Sequence, residues 1–407
     1  MNEIELEARY CAHNYEPLPV VLTRGQGANL WDTAGRRYVD MMSAYSAASH
    51  GHSHPRILAA LEAQARSLAV PSRAYYNDRL GPFLAELCRL SGLDVALPMN
   101  TGAEAVETAI KAARRWGYFV KGIPQDRAEI IVADGNFHGR TTTIISFSTE
   151  SEYRAGFGPF TPGFRSVPYG DGAAIERAIT PETAAILLEP IQGEAGVIVP
   201  PAGWLTGLRR LCDIHNVLLI FDEVQSGLGR TGNWFAFEHE GVRPDGLVVG
   251  KALGGGVLPV SAFIAHRDVM DVFTPGSHGS TFGGNPLAAA IGHEALQIIH
   301  DEGLVERSRL LGQHMLDRLR SIKSPVIKAV RGRGLLGAVE IEPKVTTARE
   351  VCERLLVQGV LSKETHHTVV RLAPPLVIPL DDLDWAIDRF LDVVRELEAT
   401  KCPHVAA

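Results

Sequence analysis

Six short, largely apolar runs punctuate the middle of the chain without polar alternation. They are Val95-Ala-Leu-Pro-Met99, Glu129-Ile-Ile-Val-Ala133, Ala184-Ala-Ile-Leu-Leu188, Val217-Leu-Leu-Ile-Phe221, Leu247-Val-Val249 and Val260-Ser-Ala-Phe-Ile264. A strand apolar at nearly every position is buried on both faces, and helical patterns separate these runs, so they predict a largely parallel α/β sheet. Upstream, Val20-Val-Leu22, Asn29-Leu-Trp-Asp32 and Arg37-Tyr-Val-Asp-Met41 are short alternating segments broken by Gly and Pro, which predict a small antiparallel meander. Residues 55–92 carry a helical period, with Ile57, Leu58, Leu61, Ala65 and Leu68 on one face and a second run through Phe83, Leu84, Leu87 and Leu90. After residue 296 the pattern changes to an α+β order. A helix through Leu304, Leu311, Met315 and Leu319 precedes strands at Val326-Ile-Lys-Ala-Val330, Gly337-Ala-Val-Glu-Ile341 and Val369-Val-Arg-Leu372, with further helices near 350–358 and 380–398. The organisation expected is an N-terminal segment, 1–54, packed with a small domain, 296–407, and a large domain, 55–295, between them.

Composition narrows the function classes. With 407 residues, 45% hydrophobic and 21% charged, the chain is ordinary globular material. A net charge of -7 with no basic block argues against nucleic acid, and no apolar stretch is long enough for a membrane helix. The N-terminus opens with Glu3, Glu5 and Glu7, unlike a signal peptide, so a cytoplasmic protein is expected. Five scattered cysteines, none in a C-x-x-C pair, predict neither a disulfide framework nor a cysteine zinc site. His50, His52 and His54 alternate, but Pro55 follows and no acidic ligand is near in sequence, so a capped turn is expected and no metal.

Lysine usage points at chemistry. There are eight lysines against thirty-two arginines, and Lys251 is the only lysine between Lys121 and Lys323. It follows the apolar run ending at Gly250, where a side chain enters the crevice at a strand end and desolvation lowers an amine pKa; a lysine snorkelling to water has the same local signature. Asp222 ends another apolar run 29 residues earlier, so a carboxylate and an amine can share one crevice, as catalytic partners or as a structural ion pair. Asn100-Thr-Gly-Ala-Glu104 follows the first central strand; Thr101 and Glu104 form a capping box, and Gly102 lets a phosphate approach the free amides of a helix start. An ordinary capped helix would look the same. Gly332-Arg-Gly-Leu-Leu-Gly337 matches a dinucleotide fingerprint, but the strand-like Ala-Val-Glu-Ile after it excludes the required helix; Gly250-Lys251 lacks the Ser or Thr and the leading Gly of a phosphate-binding loop.

Together, the helix start, the acidic strand end and the crevice lysine resemble the fold type I enzymes that use pyridoxal 5'-phosphate, and the chain is identified as a member of their class III aminotransferases. The similarity runs essentially end to end. Ala12-His-Asn-Tyr-Glu-Pro-Leu-Pro-Val20, Met42-Ser-Ala-Tyr-Ser-Ala47, Asn136-Phe-His-Gly-Arg-Thr141, Glu189-Pro-Ile-Gln-Gly-Glu-Ala-Gly196 and Arg371-Leu-Ala-Pro-Pro-Leu-Val-Ile378 are similar to the ornithine δ-aminotransferases. The Ser46-Ala-Ala-Ser-His50 loop departs from the pattern of well-studied members.

This resemblance implies an α/β fold type I architecture, with a mainly parallel seven-stranded sheet in the large domain and a smaller α+β domain. It implies that Lys251 attaches the cofactor and shuttles the substrate proton, and that Asp222 pairs with the cofactor's ring nitrogen. Phe137 would stack on the ring, Gln225 would bond its phenolic oxygen, and Gly102 and Ala103 would give amides to the phosphate, with Glu189 also in the cofactor-binding set. Thr281 would reach that phosphate from a partner subunit, which implies a homodimer or larger homo-oligomer. Tyr15 and Arg140 would hold the ornithine carboxylate, Tyr45 would select ornithine, and Arg371 would receive the carboxylate of glutamate or 2-oxoglutarate, masked by Glu194 in the other half-reaction. The activity implied is transfer of the ornithine δ-amino group to 2-oxoglutarate. Alternatives are another class III aminotransferase acting on acetylornithine, 4-aminobutyrate or lysine, or an epimerase of the same fold.

Overall fold

The computed structural model describes residues 1–402. Its centre is a seven-stranded sheet in the order Val95–Met99, Ser261–Ala265, Gly246–Val249, Leu218–Asp222, Thr183–Leu188, Glu129–Ala133 and Phe164–Val167. Thr183–Leu188, Leu218–Asp222 and Gly246–Val249 are buried at every position, as their unbroken apolar runs require. Successive side chains still go to opposite faces. Ile131, Ile186 and Leu188 join one apolar core, and Ile130, Val132, Ala185 and Leu187 join the other. The second core is closed by helix Gly102–Trp116, which buries Ala105, Val106, Ala109, Ile110, Ala113 and Trp116.

Five neighbouring strands run parallel, which is the mainly parallel seven-stranded sheet expected, and two features add detail to it. Ser261–Ala265 is antiparallel to both of its neighbours; an apolar run records burial on two faces, not direction. The seventh strand, Phe164–Val167, was not among the six runs, because it lies at the sheet edge and carries Arg165 and Ser166. The helical period over 55–92 resolves into Pro55–Ser67 and Leu80–Ser91 with non-helical chain between them. Pro55 opens its helix, but His54 makes no side-chain cap; it meets Glu302 at 3.1 Å instead. His52 Nε2 lies 2.8 Å from Asp40 Oδ2, and among the described residues no cluster suits a metal.

Strand direction places the site. Val95–Met99, Glu129–Ala133, Thr183–Leu188, Leu218–Asp222 and Gly246–Val249 all finish at one edge of the sheet, where open α/β sheets bind ligands. Two smaller sheets flank this edge. Ile327–Arg333, Leu336–Ile341, Val369–Leu372 and Lys363–Thr365 form an antiparallel sheet, with Arg371 opposite Ala338. Leu22–Gln26, Asn29–Asp32 and Arg37–Asp40 form the expected meander, extended by the parallel strand Val360–Leu361 from the far end of the chain.

Between meander and sheet edge the backbone takes an unusual path. Ser43, Ala44, Tyr45 and Ser46 have φ of 44°, 46°, 59° and 77°, a left-handed turn built without glycine. Left-handed helical backbone costs an L-residue roughly 1–2 kcal/mol, so this turn persists only because its surroundings fix it. Asp40 Oδ1 accepts from the amides of Met42 and Ser43 at 2.8 and 2.9 Å, and Ser43 Oγ donates to Ala373 O at 2.7 Å.

Candidate active site

At the carboxyl edge of the sheet is a cavity with about 600 Å³ of open space, lined in part by Gly102, Ala103, Phe137, Glu189, Asp222 and Lys251. Helix Gly102–Trp116 begins there, and the capping box is formed as expected. Thr101 Oγ1 accepts from the Glu104 amide at 3.2 Å, and Glu104 Oε2 accepts from the Thr101 amide at 2.7 Å. The first-turn amides of Gly102 and Ala103 have no intrahelical acceptor and face an anion-ready space. A Cβ on Gly102 would stand 3.0 Å from Val224 Cγ1, so a side chain there would crowd this wall.

Asp222 ends its strand with 5% exposure. Its Oδ1 accepts from the Val224 amide at 3.0 Å, and its Oδ2 lies 2.7 Å from His138 Nδ1. His138 went unassigned in the sequence, although it sits inside the Asn136-Phe-His-Gly block; a contact across 84 residues leaves no local signal. Burial works to lower the His138 pKa, but the hydrogen bond and charge of Asp222 outweigh it and raise it above the usual value. Glu189 accepts from the Phe137 amide at 3.0 Å and the Gly193 amide at 3.3 Å, so it also braces the loop that presents Phe137. Burial pushes its pKa up to about 7, with the Asp222 charge acting in the same direction.

Lys251 sits just beyond strand Gly246–Val249 with φ of 45°, strained for a residue other than glycine. Desolvation lowers its amine pKa, against the charges of Asp222 and Glu194. Among the described residues no carboxylate lies within ion-pair distance of its nitrogen, so it is not the partner in a simple structural salt bridge. Gln225 lies on the same wall, and Gly193 leaves it room: a Cβ there would fall 1.3 Å from Gln225 Oε1.

These residues fit pyridoxal 5'-phosphate. The cavity presents free amides for a phosphate, an aromatic face at Phe137, a buried carboxylate for a ring nitrogen and a desolvated amine, all on one sheet edge.

Of the expected substrate residues, Glu194 lines the cavity, while Arg371 and Tyr45 adjoin it through Glu194 and Arg140 through Phe137. Glu194 Oε2 is 2.5 Å from Arg371 Nη1, and Thr365 Oγ1 donates to Glu194 O at 2.7 Å. The Arg371 guanidinium also stands 4.6 Å from the centre of the Tyr45 ring. Arg140 is exposed and lies over Tyr153, 3.6 Å from that ring's centre, while Tyr153 meets Phe137 edge-on at 6.1 Å. Tyr153 carried no signal in the sequence. Five expected residues are not among those lining the cavity: Arg371, Tyr45 and Arg140, which adjoin it through lining residues, and Tyr15 and Thr281, which lie in other crevices. Tyr15 is 77% exposed beside the N-terminal helix, and Thr281 is exposed in a separate crevice with Arg73 and Asn77.

Comparison with known proteins gives a consistent result. A family model described as aminotransferase class-III matches residues 10–394. The ornithine aminotransferase of Brevibacillus brevis is 54% identical over 395 residues, which cover 97% of this chain and 98% of that protein. The crystal structure of the ornithine aminotransferase from Toxoplasma gondii ME49 superposes with a TM-score of 0.96 at 46% identity, over 98% of this chain and 95% of that one. The crystal structure of acetylornithine aminotransferase from Elizabethkingia anophelis superposes with a TM-score of 0.89 at 51% identity, over 97% of this chain and 98% of that one.

Proposed function

Since the chain belongs to the class-III aminotransferases, we propose that it moves the δ-amino group of L-ornithine to 2-oxoglutarate. The products are glutamate and glutamate 5-semialdehyde, which closes spontaneously to pyrroline-5-carboxylate. The observation that carries this reading is the Glu194–Arg371 pair, closed at 2.5 Å beside the cavity that Glu194 lines, with the Tyr45 ring against the same guanidinium. An enzyme that takes one substrate by its ω-amine and the other by its α-amine needs a carboxylate receptor that can be hidden and released, and a carboxylate-bound arginine beside an aromatic selector supplies it.

Pyridoxal 5'-phosphate is the cofactor, and when bound it supplies an electron-withdrawing ring that stabilises charge on the substrate carbon. The chain's own groups do the rest. The amides of Gly102 and Ala103 would hold the phosphate, Phe137 would cover the ring, and Gln225 would bond the phenolic oxygen. Asp222, backed by His138, would pair with the ring nitrogen and favour its protonated form. Lys251 Nζ would hold the cofactor and, once the substrate amine has displaced it, would accept the proton from the substrate carbon and return it, its pKa being lowered by desolvation. Arg140 and Tyr15 take the far carboxylate of ornithine. Glu189, braced by two amides, sets the loop behind Phe137.

The unit is a homodimer or a larger homo-oligomer. Thr281 stands exposed, outside its own chain's cavity, next to exposed Phe282 and in a crevice with Arg73 and Asn77, which suits delivery to a partner's phosphate site. The meander of 1–54 goes with the small domain of 296–407, against a large domain of 55–295. Five free cysteines suit the reducing cytoplasm, and among the described residues no helix is long and apolar enough to cross a membrane.

A second reading, an acetylornithine aminotransferase, is favoured by the 51% identity to the Elizabethkingia anophelis enzyme. One assay separates the two: pyrroline-5-carboxylate production from ornithine and 2-oxoglutarate, beside N-acetylornithine, 4-aminobutyrate and lysine at equal concentration. Higher kcat/KM for ornithine is expected; higher kcat/KM for N-acetylornithine would establish the second reading.

A further inference from the structure

Arg230 is the largest fully buried side chain described, with 1% exposure, and among the described residues no carboxylate contacts its guanidinium, Asp40 acting on it only at longer range. Its guanidinium bonds only to uncharged groups. Nη1 donates to Leu335 O at 3.0 Å and Pro374 O at 2.5 Å; Nη2 donates to Ser43 Oγ at 3.1 Å and Ser49 Oγ at 2.8 Å. Burying a charge without a counter-ion is costly, so a side chain placed this way does something that an apolar residue could not.

What it joins is informative. Ser43 begins the left-handed turn that carries Tyr45, and Ser49 closes it by donating to Ser46 O at 2.8 Å. Pro374 lies three residues beyond Arg371. One rigid fork therefore spans from both ends of the Tyr45 turn to the segment leaving the Arg371 strand. We infer that Arg230, which does not line the cavity, is the positioning residue that holds Tyr45 at its working separation from Arg371 and so maintains selection of the ω-amine substrate. This deepens the proposed function and rests on the role given there to Tyr45.

The two ends of the fork are not equally dependent on it. Arg371 belongs to a strand paired on both sides, opposite Ala338 and Lys363, and keeps its place without Arg230. The turn of residues 43–46 has no sheet partner and an unfavourable backbone, so weakening the fork releases the turn first. Lysine cannot replace this fork: an ammonium at the end of a flexible stem does not reach four acceptors in two directions.

The test measures each half-reaction separately, by stopped-flow absorbance of the holoenzyme, in wild type, Arg230→Lys and Ser49→Ala. The ornithine half-reaction is expected to show KM raised about tenfold in Arg230→Lys and about threefold in Ser49→Ala, with the rate at saturation nearly kept. Preference for ornithine over 4-aminobutyrate falls in parallel, while the glutamate half-reaction stays within about twofold of wild type. Equal losses in both halves, a loss confined to glutamate, or unchanged ornithine KM in Ser49→Ala overturns the inference. Ser49→Ala decides the matter if Arg230→Lys does not fold. A wild-type enzyme that does not use ornithine removes the functional reading instead, and the same split is then measured with the ω-amine that it does use.

Discussion

Asp222 Oδ2 lies 2.7 Å from His138 Nδ1, and both side chains are almost wholly buried at the carboxyl edge of the sheet. The hydrogen bond and charge of Asp222 raise the His138 pKa above its usual value despite burial. Asp222→Asn removes that charge while preserving shape and the acceptor for the Val224 amide. The expected result is an intact fold with proton abstraction slowed by about 3 kcal/mol or more, on the order of a hundredfold, in single-turnover stopped-flow measurements. A near-normal rate would reduce the strand-end carboxylate to a structural group.

Lys251 carries the second prediction. Its desolvated, unpaired amine is the group expected to attach the cofactor. Borohydride reduction of the holoenzyme followed by peptide mapping should place the pyridoxyl group on Lys251, and Lys251→Ala should bind the cofactor without covalent attachment and lose turnover. Recovery of the label on another residue sinks the assignment.

Lys251, Asp222 and the Thr101–Glu104 box were legible in the sequence because each is a local event: a rare residue at a strand end, a carboxylate after an apolar run, a helix-start signature. The strands buried on both faces were legible for the same reason. His138 was not assigned, since its partner lies across the sheet edge, and neither was the edge strand Phe164–Val167, which has too few apolar residues to stand out. The left-handed turn of residues 43–46 was invisible because no glycine marks it; hydrogen bonds from Ser43 to Ala373 and from Arg230 to Ser43, distant in sequence, help impose it on residues that disfavour it. Glu194 and Arg371 came from resemblance alone, since nothing in 177 residues of separation predicts a 2.5 Å contact.

His50 makes acid stability a test of the same loop. It is fully buried, its Nε2 meets Ala295 O at 2.9 Å, and burial lowers its pKa to about 4. The folded chain therefore binds fewer protons than the unfolded chain between about pH 4 and pH 6.5, and stability is lost as the pH falls through that window. At about pH 5 the loss amounts to ~2 kcal/mol. His239, also lowered to about 4 by burial, adds a loss of the same sign. His50→Asn should shrink the fall in the urea midpoint between about pH 7.5 and about pH 5. An unchanged fall would mean that His50 takes up its proton without unfolding.

The Glu194–Arg371 contact yields the prediction that best separates an ornithine enzyme from relatives that use one binding mode. If Glu194 masks Arg371 as proposed, the closed pair leaves ornithine to present its δ-amine, and withdrawal of Glu194 frees the guanidinium for the carboxylate of glutamate or 2-oxoglutarate. Glu194→Ala should leave the receptor permanently open. The glutamate half-reaction then tightens or accelerates, and ornithine begins to react at its α-amine. Arg371→Lys should do the opposite, because an ammonium cannot reproduce the two-pronged guanidinium contact: binding of 2-oxoglutarate weakens by about 1.5–3 kcal/mol while ornithine processing is largely spared. Stopped-flow spectra of the separate half-reactions in both variants provide the measurement. Equal losses in the two halves would show that the pair only holds the cavity mouth together, since a carboxylate that masks and releases its partner must affect the two substrates in opposite directions.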